Sequence, residues 1–317
     1  MNNQAEYKAT CPIDMPLFQQ PFWLDIVAEN QWDVLLIKEN NTIAASMPLI
    51  YNSLEQRTKI IKPFLTPFCG PYFNKEITKN DFVKEQNLLM KLEEQINDYK
   101  YFEQNWHNSI TNWLPFYWKN YSQRTKYTYI LNDIKNIDQF YGNFKTNIKR
   151  NIKKSKEKFN IQIKQSTDID IFYEVLCKTF KKKGMSHHIP KFFYERIIKE
   201  TSKRNCGTFL FAKDDMNKIH AVSLIVWDAD TAYYLAGGND PELNKSGSAS
   251  HLMVEAIKYA SQYVNKFDFE GSMLKSIENY FRGFGAKQIP YFEIIKVNSR
   301  VMKMKFALKE IFKTLKK

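Results

Sequence analysis

Apolar positions along this chain recur with two periods, and the switches between them lay out its elements. Apolar runs at 33–38 and 42–51 read as strands meeting at Glu39-Asn40-Asn41, a hairpin turn by composition, and a third strand is expected at 57–63. Between them and the N-terminus, 21–29 carries Phe22, Trp23, Ile26 and Val27 as a short helix. Pro and Gly mark 67–71 as loop. Asp81 is placed to cap a helix running to about residue 98, with Phe82, Leu89, Leu92 and Ile96 on one face. A strand at 99–105, an aromatic segment at 111–121 and a strand at 126–131 follow.

The second half repeats this order. Strand 159–165 precedes a helix over 168–183 with Ile169, Phe172, Leu176 and Phe180 inward, then a helix over 190–204. Strands 208–213 and 218–227 pair across Asp214-Asp215-Met216-Asn217. Tyr233-Tyr234-Leu235-Ala236 ends a buried strand at Gly237-Gly238, and a polar loop leads to Ser246-Gly247-Ser248-Ala249-Ser250. The helix after that turn carries Leu252, Ala256, Ala260 and Tyr263. Its first N–H groups have no intrahelical partner, and small residues let an anion approach them. Phe267-Asp268-Phe269-Glu270-Gly271 reads as a strand with both acids on one face, and a helix over 277–284 closes the unit at Gly285. The series from 233 to 296 matches 71–131 in type and order, which predicts an internal duplication.

Between the halves, 145–158 holds seven basic residues and one acidic, with Phe144, Ile148 and Ile152 on one stripe. Lys149, Arg150, Lys153 and Lys154 then face outward, either as a solvated surface or as a phosphate-binding one. The tail 300–317 repeats the pattern, with Val301, Met304, Leu308, Ile311 and Leu315 among lysines. Such a helix either lies on an anionic lipid surface or packs back on the second half.

Composition narrows the class. The chain has 317 residues, 44% hydrophobic and 15% aromatic, enough for two cores. Cys11, Cys69, Cys177 and Cys206 show neither paired spacing nor a metal cluster, and no metal site is expected. Neither a leader nor a membrane-spanning run is legible, so a cytoplasmic protein is expected, with a peripheral position at the inner membrane surface if the tail binds lipid. The net charge of +13 points to an anionic partner: nucleic acid, membrane or a polyanionic small molecule.

Tyr-Tyr-Leu-Ala-Gly-Gly at 233–238, Phe267-Asp268-Phe269-Glu270-Gly271 and Tyr280-Phe281-Arg282-Gly283-Phe284-Gly285 resemble the second domain of FemABX-type acyltransferases of the GNAT (Gcn5-related N-acetyltransferase) superfamily. Gln20-Pro21-Phe22-Trp23 and Cys69-Gly70-Pro71 resemble that family's opening domain. The resemblance implies an α/β fold of two tandem GNAT-like domains, each a mixed central sheet flanked by helices. The division expected is 1–134, a basic connecting helix at 135–158, and 159–317 with the active site. It further implies transfer of an acyl or aminoacyl group to an amine of a small-molecule, lipid or cell-envelope precursor. Two features depart from the pattern. Arg282 stands where the family has Lys, and Asn244 opens an approximation to the pyrophosphate loop of CoA-using members.

On that resemblance the donor is acyl-CoA, or aminoacyl-tRNA contacting the basic helix; a non-catalytic binding protein is the third reading. Asn244, Lys245, Ser246, Gly247, Ser248 and Ala249 would hold pyrophosphate, and Leu235 and Ala236 would align the donor's arm like an added strand. Asp268 and Glu270 are the carboxylates for deprotonating or orienting the amine, or else solvated strand-end acids. Tyr280 is an acid for the leaving group or a core residue; Arg282 binds phosphate or acceptor, or pairs on the surface. Tyr234, Asn239 and His187 are expected around the acceptor.

Overall fold

The structure is a computed structural model that describes residues 3–12, 14–53, 55–96, 99–136 and 141–304. They group into two compact units, Met1–Lys126 with Pro290–Lys317, and Tyr127–Ile289.

In the first unit, β1 (Trp32–Glu39) and β2 (Thr42–Ile50) form the expected hairpin, with Glu39 opposite Thr42. Asn40 and Asn41 both take left-handed φ, 48° and 62°, the geometry a two-residue turn between twisted strands requires. β4 (Tyr72–Phe73) pairs with β2. A second set joins β3 (Lys59–Ile60), parallel to β5 (Tyr101–Asn105), with β12 (Lys287–Val297) antiparallel on its other side. The helix Phe82–Glu94 is capped by Asp81, whose carboxylate accepts from the Lys84 N–H at 2.8 Å. Leu88, Leu89 and Leu92 bury its inner face, whereas Phe82, expected on that face, is exposed at the first turn. The aromatic segment holds a short helix, Leu114–Trp118, and a helix not anticipated spans Gln4–Thr10.

The second unit is built on a mixed sheet. β7 (Gln162–Ser166), β8 (Gly207–Lys213), β9 (Ile219–Trp227) and β10 (Thr231–Asn239) run antiparallel in succession. β11 (Lys266–Asp268) then lies parallel to β10 and antiparallel to the end of β6 (Ser122–Leu131). The strands alternate faces. Leu210, Ala212, Ala221 and Ile225 pack with Leu252, Ala256 and Ala260 of the helix Ser248–Ala260. On the other face Phe209 stacks on Phe172 of the helix Ile169–Lys182, ring centroids 4.2 Å apart.

Two boundaries fall elsewhere than expected. The connecting helix, Thr146–Glu157, groups with the second unit, and the stripe of Phe144, Ile148 and Ile152 is buried in that unit's core. The sheet residues of β12 past Pro290 group with the first unit, because Glu293 to Val297 pair with β5. Residues 300–304 are helical, and the rest of the expected lipid-facing tail lies outside the described residues.

The helices Thr146–Glu157 and Ser248–Ala260 meet at Gly247. Its φ is +77°, and a Cβ there would lie 2.4 Å from the Asn151 carbonyl oxygen. The turn is therefore packed, contrary to the expectation of an open surface loop. We expect Gly247→Ala to lower stability by about 1–3 kcal/mol from combined strain and overlap. Gly142→Ala, whose Cβ would meet nothing within 4 Å, serves as the neutral control. Urea unfolding of both variants reads the difference, and equal midpoints would refute the packing role.

Candidate active site

The site begins as a defect in the sheet. β10 pairs with β11 only from Thr231–Lys266 to Tyr233–Asp268. Beyond that register β11 ends, while β10 continues to Asn239 with β9 as its partner. The β9–β10 register slips between Tyr234 and Ala236, leaving Leu235 as the extra residue of a bulge that bends the strand. Two parallel strands that part in this way leave backbone N–H and C=O groups of β10 facing open space.

What ends β11 is the Asp268 carboxylate. It is 3% exposed, accepts the Thr128 hydroxyl, and accepts the Glu270 N–H at 2.7 Å. That last bond turns the chain sharply. Glu270 takes φ +58° and Gly271 φ +63°, with the Tyr127 carbonyl oxygen 2.0 Å from where a Cβ at Gly271 would lie. Only glycine fits that approach.

A cavity of about 520 Å³ fills the gap. Leu235, Ala236, Gly237, Ala249, Leu252 and Met253 form one side, and Phe269, Glu270, Ile277, Tyr280 and Phe281 the other. Besides Thr179, Lys183, Asn239 and Ser272, the polar groups of Glu270, Tyr280 and Tyr234 stand among these walls. Glu270 Oε1 is buried with no hydrogen-bond partner among the described residues, and the buried Tyr280 hydroxyl interacts only weakly with the Ser250 side chain. The Tyr234 phenol folds back over Gly237, where a Cβ would sit 2.0 Å from its oxygen. Burial, and next the neighbouring Asp268, push the Glu270 carboxyl well above the usual carboxylate range. Burial raises Asp268 to about 6, against the pull of Thr128 and the Glu270 N–H. The phenols of Tyr234 and Tyr280 are also driven up by burial, so both stay protonated at neutral pH.

Asp268 and Glu270 thus do not share a face. A strand would have put them together, but the turn bends Glu270 into the cavity and leaves Asp268 behind as its clamp. Of the expected pyrophosphate turn only Ala249 lines the cavity. Asn244 and Lys245 are exposed, whereas Ser246 and Ser248 are 1% and 2% exposed. His220 ties the turn down: Nδ1 lies 3.0 Å from Ser246 Oγ and Nε2 3.2 Å from Asp214 Oδ2. This Ser-His-Asp set is too deeply buried to act as a nucleophile. Arg282 is exposed outside the cavity, bonded to Glu278 and Asn279 of its own helix. His187 packs among Tyr173, Phe180 and Tyr194, its Nε2 3.1 Å from the Tyr194 hydroxyl, and does not line the cavity. Asn239 does, beside Thr179, whose hydroxyl accepts its N–H at 3.0 Å. Thr179, Phe180, Lys183 and Met253 also line the cavity and were not singled out from the sequence; nothing in their local pattern marks them.

Residues 142–282 match the family described as Acetyltransferase (GNAT) domain. No curated protein matches the sequence. Among solved structures the chain is similar to FemX, with 11% identity over 92% of this chain and 95% of that one, TM-score 0.66. It is similar to L-PGS from Bacillus licheniformis, 10% identical over 96% and 93%, TM-score 0.56. A tandem GNAT protein from the clavulanic acid biosynthesis pathway aligns at 8% identity over 88% and 94%, TM-score 0.50. The fold is accordingly that of tandem GNAT proteins. Residues 142–282 lie in the second unit and match a GNAT-type acetyltransferase domain, which supports an acyltransferase.

The raised carboxyls carry a stability signature. A folded state that holds a proton the unfolded chain releases is most stable at low pH and loses that share as pH rises through the raised value. Glu270→Gln removes the charge that burial penalises. The variant should melt above the wild type at pH 8, the gap closing towards pH 4 where both side chains are neutral. Calorimetric melts across that range decide it; a gap independent of pH would mean that the Glu270 carboxyl is not held in a raised state.

Proposed function

We propose that this GNAT-type acyltransferase passes an acyl group from acyl-CoA to a primary amine, with Glu270 as the general base. The observation that carries the reading is the half-buried Glu270 side chain in a cavity beside the open edge of β10, its Oε1 enclosed without a hydrogen-bond partner among the described residues. The donor's arm lies along Leu235 and Ala236, and the thioester carbonyl meets backbone N–H groups there, as a tetrahedral oxyanion requires. The amine nitrogen attacks the carbonyl carbon, a C–N bond forms, and Glu270 takes the proton the amine sheds. The C–S bond then breaks, and the Tyr280 phenol, with Tyr234 beside it, supplies a proton to the departing thiolate. A carboxyl raised above the usual carboxylate range is a stronger base than a free carboxylate. Asp268 acts as a positioning residue through the turn it clamps. Asn244, Lys245 and Ala249 remain the parts of the helix entry available to the donor's phosphates, since Gly247 and the buried serines are committed to packing.

Aminoacyl-tRNA is the second reading of the donor, favoured by the exposed Arg150 and Lys153 on the basic helix. The same cavity chemistry applies to an ester in place of a thioester. Lys149 and Lys154 contribute less there, because Lys149 donates to the Gly142 carbonyl and Lys154 covers the Phe159 ring. Charge reversal at Arg150 and Lys153 should weaken and flatten any salt-dependent tRNA binding and leave CoA binding alone.

Glu270→Gln should lower kcat about 10²–10⁴-fold and abolish the rising limb of the pH profile, while calorimetry finds CoA bound as before. Arg282→Ala should keep turnover within about twofold, as expected of an exposed residue paired within its own helix. Full activity in Glu270→Gln would remove the base assignment; loss of CoA binding in the wild type would remove the donor.

A further inference from the structure

The buried Ser246-His220-Asp214 set has no role in the chemistry above, yet it is too fully wired to be incidental. Asp214 sits in the turn between β8 and β9, where its Oδ1 accepts the Met216 and Lys218 N–H groups at 3.0 and 2.9 Å. Its Oδ2 faces His220 Nε2. Burial by itself would raise this carboxyl, but the bonds from His220 and from the Lys218 and Met216 N–H groups more than offset it and hold it below its usual range. An ionised carboxylate only accepts, so Nε2 carries the proton, and in the neutral ring Nδ1 is then the acceptor for the Ser246 O–H. With its hydrogen committed to Nδ1, Ser246 Oγ accepts the Ser248 N–H at 3.3 Å. The chain of bonds thus runs from a hairpin turn that lines no part of the cavity to the first residue of the helix Ser248–Ala260.

That wiring disposes of the helix's first N–H groups unequally. Ser250 and His251 donate to the Gly247 carbonyl, and Ser248 to Ser246. The Ala249 N–H has no partner among the described residues, and Ala249 is the residue of this turn that lines the cavity. We propose that Asp214 and His220 are positioning residues for the donor. Asp214 sets the His220 tautomer, the tautomer directs the Ser246 hydroxyl, and Ser246 holds the helix entry so that the open Ala249 N–H meets a donor phosphate. The inference rests on the acyl-CoA reading and adds to it the part of the chain that holds the phosphate end in register. In the opposite tautomer Nδ1–H would donate to Ser246 Oγ, the Ser246 hydrogen would lose its acceptor, and the entry would lose its fixed geometry.

Asp214→Asn tests the relay with little change of shape. The amide can donate to Nε2 and so favours the Nδ1–H ring. Nitrogen-15 spectra should show His220 protonated at Nε2 in the wild type and at Nδ1 in the variant. The KM for acetyl-CoA should rise about tenfold, the loss of one hydrogen bond to a charged group, with kcat within about twofold. Ser246→Ala should do the same, and the double variant should be no worse than either alone. Asp215→Asn, next in the turn, whose carboxylate accepts from Asn160, should keep the wild-type KM. S-acetylpantetheine carries the thioester without the diphosphate, and its KM should be the same in the wild type and every variant. A rise in KM with both donors would overturn the proposal and leave the set a plain brace for the fold. So would an unchanged acetyl-CoA KM in Asp214→Asn, which carries the test by itself if Ser246→Ala does not fold. Calorimetry separates the two ideas: a wild type that binds no CoA overturns the donor reading and the relay with it, whereas variants that bind CoA as tightly as a binding wild type overturn the relay alone.

Discussion

The second unit depends on one buried carboxylate. Asp268 accepts the Thr128 hydroxyl from β6 and the Glu270 N–H two residues on, and so both anchors β11 and ends it. A parallel strand that continued past this point would close against β10 and leave no space. The bond to the Glu270 N–H instead sends the chain through two consecutive left-handed residues, the second of which must be glycine because the Tyr127 carbonyl occupies the place of a side chain. Burying a carboxyl is costly, and burial pushes this one up to about 6 because its two hydrogen bonds offset the lost hydration only in part. The turn therefore stores an unfavourable term beside the cavity.

The same turn gives the cavity its electrostatics. Glu270 enters a largely apolar cavity where burial, and next the like charge of the nearby Asp268, hold its proton more tightly than in water. A salt-bridged carboxylate would be too weak a base for an ammonium ion; this one is shifted towards it. Lysines are plentiful in this chain, yet those near the opening sit on the lips and not on Glu270. The basic helix is likewise kept away from the chemistry. Its apolar stripe is buried and Gly247 packs against its backbone, which spends the glycine of the supposed phosphate turn on helix contact.

Much of the fold was legible from the chain. The Asn40–Asn41 hairpin, the Asp81 cap and the helix after Ser250 follow from local rules, because turn chemistry, capping and periodicity act over a few residues. The cavity's walls were legible in part: Leu235, Ala236, Ala249, Glu270 and Tyr280 were named from the sequence and line it. Thr179 and Lys183 were not, since a helix over 70 residues earlier in sequence than Tyr280 joins it only through the sheet. Arg282 illustrates the converse error. Its neighbour Phe281 points into the cavity, and one step along a helix turns a side chain by about 100°, so Arg282 faces solvent and pairs with Glu278.

The sequence by itself determined the element order, the aromatic and aliphatic positions that fill each core, and the identity of two carboxyls, two phenols and a glycine-rich strand end. Those follow from short-range steric and hydrophobic rules. Tertiary structure alone decided that Asp268 clamps and Glu270 faces the cavity, for alternation along an ideal strand predicts the opposite. The reason is a hydrogen bond closed across two residues together with a carbonyl from β6, a strand about 140 positions away, that forces the chain out of extended geometry. It also decided which small residues are open and which are packed: Ala249 meets the cavity, while Gly247, two positions earlier, meets Asn151.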